Sequence, residues 1–300
     1  MKIQNFLLVF LPLFILVSCS SDSDQTPTPT AVNPVPSENI VIELTGVRDI
    51  FPTWAKFQGK ITQDPSSNRF VGFVYSKNQN PIINNSNTFT VSSTRTGNNQ
   101  FEFLPLNCVA NTTYYIKAFV QINNNYTYSA EQTFRTTGYF GPAGGYVAFD
   151  KGIFSDGWRY MEMHPVSLNF NSAGFGANWG DIGTFISGTV PDFGKGLENT
   201  IFIANNTMTS NCAAKLCLNL NLNGYSDWFL PSIQEVFQMT NELISGGINF
   251  PYESWSSTQL NANFANNTFY NLGPLGSVPI FEINQGTKGN QNAVYPVRRY

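Results

Sequence analysis

Charge is scarce in this chain: its 300 residues include 16 Lys and Arg, 19 Asp and Glu and one His, for a formal net charge of −3. No basic cluster runs along it to follow a phosphate backbone, which excludes nucleic acid as a partner. The lone His164, in Met161-Glu162-Met163-His164-Pro165, has no partner at metal-ligand spacing. It reads as a partly exposed residue at a strand end, not a ligand or catalytic base. A Gly-x-Ser-x-Gly elbow, a phosphate-cradling Gly-Lys-Ser/Thr and a dinucleotide fingerprint are all missing, so the main cofactor-using enzyme classes lose their support and no cofactor is expected. Polysaccharide hydrolysis would need two carboxylates about 5 to 10 Å apart. Asp181, Asp192, Glu198, Asp227, Glu253 and Glu282 are available, and their spacing singles out no pair.

Long apolar runs are also few. The one at residues 6–17, after Lys2, is shorter than the roughly 20 residues a spanning helix needs, and none of that length follows. It ends in Leu16-Val17-Ser18-Cys19, which resembles a bacterial lipobox, making 1–18 a lipoprotein signal peptide and Cys19 the lipidated first residue of the mature protein. Ser20-Ser21-Asp22-Ser23-Asp24 resembles the surface-export signal of Bacteroidota lipoproteins, and a Thr/Pro-rich stretch follows. Residues 19–39 bury too little apolar surface to offset their ordering entropy and read as a flexible tether.

Cysteine is sparse as well. With Cys19 assigned to lipid, Cys108, Cys212 and Cys217 remain, an odd number that cannot all pair within one chain. On a helix, Cys212 and Cys217 would have Cα atoms about 8 Å apart, beyond disulfide reach. Their gap also suits zinc poorly, so they read as buried small hydrophobes.

What the chain does have is turn chemistry and aromatic residues. Val41-Ile42-Glu43-Leu44, Trp54-Ala55-Lys56-Phe57, the runs 70–75 and 101–103, Tyr114-Tyr115-Ile116-Lys117-Ala118-Phe119-Val120 and Thr133-Phe134-Arg135-Thr136 read as short strands. Asn-rich stretches at 84–87 and 123–125 supply turns between them, which predicts an antiparallel sandwich over 40–137. Texture changes at Gly138. Gly141-Pro142-Ala143-Gly144-Gly145 reads as a hinge, strands follow at 146–150 and 157–162, and helices are predicted at about 209–220 and 231–244. Ser232 and Glu235 have capping-box spacing in the second helix. Strands or turns at 255–258, 268–272, 280–283 and 293–299 complete an α+β pattern.

Leu104-Pro105-Leu106, the run 111–119 and Thr133-Phe134-Arg135-Thr136-Thr137 resemble a fibronectin type III-like module, in which a tyrosine at the position of Tyr115 fixes a corner of the sandwich. Gly194-Lys195-Gly196-Leu197-Glu198-Asn199-Thr200, Gly224-Tyr225-Ser226-Asp227-Trp228-Phe229-Leu230-Pro231-Ser232, Trp255-Ser256-Ser257-Thr258 and Val294-Tyr295-Pro296-Val297-Arg298 resemble, in order, the Lcl C-terminal domain family, related to C-type-lectin-like folds. The resemblances together imply a multidomain chain: an all-β fibronectin III-like sandwich at 40–137, then an α+β C-type-lectin-like domain at 138–300. They imply display on a bacterial surface; the sulfated-glycan ligand of the second family does not carry over, because collagen-like repeats and a basic run are absent.

Within these motifs Trp228, Phe229, Leu230 and Trp255 read as core, Asp227 as an acceptor for nearby backbone N–H groups, and Arg298 and Arg299 as partners of interior carboxylates. For a calcium-dependent lectin site only Trp179-Gly180-Asp181 is distantly similar, so calcium is possible but unsupported by motif. Segments 169–189 and 261–267 are long, polar and interleaved with Phe or Trp, and Trp179, Asp181, Asn261, Asn263 and Asn266 are the candidate ligand contacts. The functional expectation is an outer membrane lipoprotein facing the cell exterior, held to the membrane by its lipid anchor and binding an extracellular glycan or protein without catalysis. Its rivals are an extracellular polysaccharide hydrolase and a structural subunit of a surface assembly.

Overall fold

The computed structural model describes residues 39–64, 69–96, 99–168, 176–248, 253–271 and 280–300. The signal peptide, Cys19, the tether up to residue 38, residues 169–175 of the expected ligand loop and Leu272 lie outside the described residues.

Alternation of apolar and polar residues builds the first part of the chain. Strands β1 (Val41–Arg48), β2 (Lys56–Thr62), β3 (Val71–Ser76), β4 (Thr88–Ser93), β5 (Gln100–Phe103), β6 (Thr113–Ile122), β7 (Asn125–Tyr128) and β8 (Gln132–Arg135) form two antiparallel sheets. One has the order β1-β2-β5; the other is β4-β3-β6-β7, with β8 also pairing along β6. Ile42 and Leu44, Phe57 and Ile61, and Phe101 point inward from the first sheet, and Phe73, Tyr75, Ile116, Val120 and Phe134 from the second. The ring of Phe57 meets Phe73, Tyr75 and Phe134 edge-on at 5.3–5.5 Å between centroids, so one side chain ties both sheets into a β-sandwich.

Two strands were not foreseen. β4 is Thr- and Ser-rich at a sheet edge, and its apolar series is just Phe89 and Val91, opposite Tyr75 and Phe73, too short to mark a strand. β7 follows a turn whose central residues, Asn123 (φ 48°) and Asn124 (φ 66°), both take the left-handed conformation of a tight hairpin, so the Asn run conceals a strand start. The corner tyrosine is Tyr114, not Tyr115: Tyr114 is buried and its hydroxyl accepts from the Val109 N–H (3.0 Å). A one-residue offset exchanges the faces of a strand, and Tyr115 lies on the other face.

The second part is α+β: β9 (Tyr146–Ser155), β10 (Trp158–Met163), α1 (Gly196–Asn206), α2 (Ala213–Leu218), α3 (Ile233–Ser245), β11 (Ser254–Gln259), β12 (Phe264–Asn271), β13 (Ile280–Thr287) and β14 (Val297–Arg299). Its sheets run β14-β10-β9 and β11-β12-β13. The predicted helix at 231–244 is α3, with Ser232 and Glu235 forming a reciprocal capping box. The helix expected at 209–220 shortens to α2, because Thr207 and Thr209 give their carbonyls to the Lys215 ammonium instead of to a longer helix. α1 was not anticipated; Lys195 precedes it without any side-chain cap. Cys108, Cys212 and Cys217 are free and buried, as their small-hydrophobe reading requires, and burial pushes the Cys108 thiol up to about 11.

The described residues from Asn39 to Tyr300 belong to one compact unit. Ile50 and Asp150 exchange backbone hydrogen bonds (2.7 and 2.9 Å), and Thr53 Oγ1 donates to Glu242 on α3 (2.5 Å). Phe51 enters the second part's core, stacking on Trp54 and meeting Phe149 at 4.9 Å. The expected hinge at 141–145 is pinned: the Glu162 carboxylate accepts from Gly145 N–H (2.7 Å), and a Cβ on Gly141 would lie 2.5 Å from that carboxyl carbon.

Candidate functional site

The loop after residue 176 is held from below by a buried cation. Lys288, fully buried just beyond β13, donates to Thr184 O (2.5 Å) and Gln259 Oε1 (2.6 Å) and sits 4.7 Å over the Trp179 ring. Burial pushes its ammonium down to about 8, with Asp181 pulling the other way. Gln259 closes the ring by accepting from Ile186 N–H (2.9 Å), and Gly183 N–H reaches Ala262 O (3.0 Å). The loop is therefore braced to the β11–β12 hairpin at three points.

Against that frame the candidate contacts separate. Trp179 is not a ligand platform: it is completely buried, with its indole N–H given to Ser256 O (2.7 Å), because its ring fills the core beneath the loop beside Ala177, Ile203 and Trp255. Asp181 accepts from Met208 N–H (2.6 Å) and from the Thr209 N–H and hydroxyl (3.0 and 2.6 Å). Partial burial raises its carboxyl, but these donors outweigh it and hold the pKa below the ordinary value, so Asp181 serves as a loop clamp. Asn261 and Asn263 are exposed at the hairpin turn, where Asn261 Oδ1 accepts from the Asn263 and Phe264 N–H groups and leaves its amide nitrogen outward. Asn266 is half-buried, and its carbonyl accepts from the Ser256 hydroxyl (2.7 Å).

Sequence reasoning missed the apolar members of this face. Phe185 (65% exposed), Ile182 (57%) and Leu260 (49%) stand on the segments just described, and Met208 (91%) lies on the segment clamped by Asp181. Large side chains exposed on backbone this tightly bonded differ from scattered surface apolar residues. A Phe between Thr and Ile in a polar loop carries no sequence signal for exposure.

The acidic residues lead elsewhere. Arg298 donates to both Asp227 oxygens (2.8 and 3.0 Å) and to Glu162 (3.2 Å), and its plane lies 4.1 Å from the Tyr225 ring and 4.6 Å from that of Tyr300. Asp227 is thus a guanidinium partner, not the backbone acceptor expected; the β14 register brings Arg298 opposite Glu162 and beside it. Arg299 bonds Gly194 O (2.9 Å) and reaches Glu198 (3.5 Å). Arg298 is paired with an interior carboxylate, Glu162, as anticipated, whereas the carboxylate partner of Arg299, Glu198, is exposed; Trp228, Phe229, Leu230 and Trp255 are fully buried. Glu162 and Asp227 share Arg298 as their counter-ion. Glu235 is buried, accepting from Ser232 N–H (2.6 Å) and Gly194 N–H (2.9 Å); burial pushes it up to about 7 against these donors and Arg299. His164 is more buried than expected (9% exposed): its Nδ1 lies 2.5 Å from Val166 O, and burial lowers its pKa. Among the described residues no three His, Cys, Asp or Glu side chains gather as a metal-ligand group.

No protein-family profile and no curated protein matches the chain. Among solved structures it is similar to the sensor domain of the anti-sigma factor RsgI4 in Pseudobacteroides cellulosolvens, at 23% identity over 32% of this chain and 93% of that one, with a TM-score of 0.27. A solution structure of the same sensor domain gives 22% identity over 32% and 74%, with a TM-score of 0.26. A computer-redesigned β-sandwich protein gives 19% over 31% and 93%, with a TM-score of 0.24. At these scores the likenesses carry no functional argument, and the sandwich is established by the chain's own sheets.

Proposed function

We propose that this chain is a lipid-anchored protein of the outer membrane that faces the cell exterior and binds a glycan or protein, without catalysis, through the loop face of its α+β part. The observation that carries the reading is the exposure of Ile182, Phe185 and Leu260 on backbone braced by buried Lys288, with the Asn261 amide beside them. A surface that is rigid before binding loses little entropy on association, and aromatic faces flanked by amides suit both sugar rings and protein hot spots. In this reading Cys19 carries the lipid, residues 19–39 act as the tether, and the sandwich is a fibronectin III-like spacer. The order β1-β2-β5 against β4-β3-β6 with β8, and the corner at Tyr114, support that assignment. The α+β part is assigned to the C-type-lectin-like Lcl C-terminal group on its four motifs.

A glycan array probed with residues 38–300, with and without calcium, tests the binding role. Saturable binding that Phe185→Ser abolishes while leaving the unfolding midpoint unchanged supports it. Binding indifferent to Phe185→Ser removes the loop face from consideration, and silence on glycans directs the same protein to a protein partner.

A further inference from the structure

A second concave site lies where β1 and β8 of the sandwich meet β9 and β10, a cleft of about 400 Å³. Three arginines line it. Arg159 is paired with Asp150 through Nε and Nη2 (2.7 and 2.9 Å). Among the described residues the Arg135 guanidinium has one hydrogen-bond partner, the neutral Asn111 amide oxygen, and it lies 4.2 Å over the Tyr139 ring. Among the described residues the Arg48 guanidinium bonds one group, the carbonyl of its own neighbour Val47 (3.1 Å). Nearby Asp49 is occupied by Lys56 (2.8 Å). Asp150 is thus the one carboxylate on the wall, and two of the three positive charges have no counter-ion among the described residues, in a chain whose formal net charge is −3.

The fold builds this arrangement. β1 bulges between Leu44 and Gly46, and the Arg48 guanidinium occupies the space a Cβ on Gly46 would need, its Nη1 2.3 Å from that position. Gly152, at φ +76°, brings β9 so close to β1 that a Cβ would lie 2.1 Å from Val47 O, which closes the cleft on that side. Tyr139 adds a neutral phenol, its pKa pushed up to about 12 by burial. Thr133 adds a hydroxyl to the wall, and Gln132 an amide whose nitrogen donates to Leu44 O (2.7 Å).

We propose that this cleft binds a carboxylated sugar, a uronate unit of an acidic glycan. Guanidinium forks match a carboxylate with two parallel hydrogen bonds, hydroxyl and amide groups beside them suit ring hydroxyls, and the volume lies at the lower end of small-ligand sites, the size of one or two sugar units. The site is separate from the loop face and does not depend on it.

Isothermal titration of the native 38–300 protein with galacturonate and its short oligomers, against galactose, sulfate and a Glu-rich peptide, tests it. Saturable binding of the uronates alone, weakened by added salt, is expected, with Arg48→Gln costing about tenfold or more in affinity, the loss of one charge-assisted contact. Arg48 holds no other element in place, so an unchanged melting midpoint for Arg48→Gln separates lost binding from lost folding, and Arg48→Lys, keeping charge without the fork, should fall between. Phe185→Ser should leave uronate binding intact. Failure of the uronates to bind, equal binding of galactose, preference for sulfate or the peptide, or indifference to Arg48→Gln overturns the proposal.

Discussion

Removing the Arg298 guanidinium would leave Glu162 fully buried with only the Gly145 and Ala143 N–H groups as donors. An uncompensated interior charge costs about 3–5 kcal/mol, so Arg298→Met should shift the urea midpoint down by that equivalent at pH 7. Adding Glu162→Gln should recover much of the loss, and a double-mutant cycle measures how much. Glu235 poses the opposite case. Its pKa is raised, so folding favours its protonated form, and its contribution to stability is greatest below the ordinary carboxyl value near 4.5 and is lost as pH rises through about 7. Glu235→Gln should therefore flatten the stability profile between about pH 4.5 and 7, followed by thermal melts across that range. The capping box of Glu235 was legible in the chain, but the identity of the Arg298 partner was not: Glu162 and Arg298 are 136 positions apart, and only β10–β14 pairing makes them neighbours.

Elements differ in how openly their residues declare them. α3 carries a capping box and a buried face of Ile233, Val236, Met239 and Leu243 at helical spacing, so start and type were both legible. α1 has neither: its buried residues are Gly196, Asn199, Thr200 and Ile203, and Asn199 is interior because its amide bonds Val190 and Ser257. Polar side chains satisfied by tertiary partners look in sequence like loop. The strand β6 alternates clearly, yet two successive tyrosines left its corner one position astray, and only burial distinguishes Tyr114 from Tyr115. Tyr114→Phe keeps the ring and deprives the Val109 N–H of its acceptor, so a loss of about 1–3 kcal/mol is expected by denaturant titration, whereas Tyr115→Phe should change stability by less than about 0.5 kcal/mol.

At the scale of the molecule, Phe51 belongs by sequence to the sandwich and by contact to the core of the α+β part. Phe51→Ala should cost about 3–5 kcal/mol, and because Phe51 lies at the join it should lower the unfolding of both parts together, visible as one shifted transition in calorimetry. Two separated transitions, with just one displaced, would contradict this coupling. The sequence by itself determined the local features: alternation that makes inward-facing strands, Asn residues that admit left-handed turns, a capped amphipathic helix, and aromatic motif residues destined for the core. Those follow from short-range sterics and from the apolar pattern of neighbouring residues. Tertiary structure alone decided that Trp179 is interior while Phe185 is exposed, that Lys288 braces a loop about a hundred positions earlier in the chain, and that Arg48, Arg135 and Arg159 share a cleft. Burial and charge proximity depend on which distant segments meet, and no local pattern encodes that.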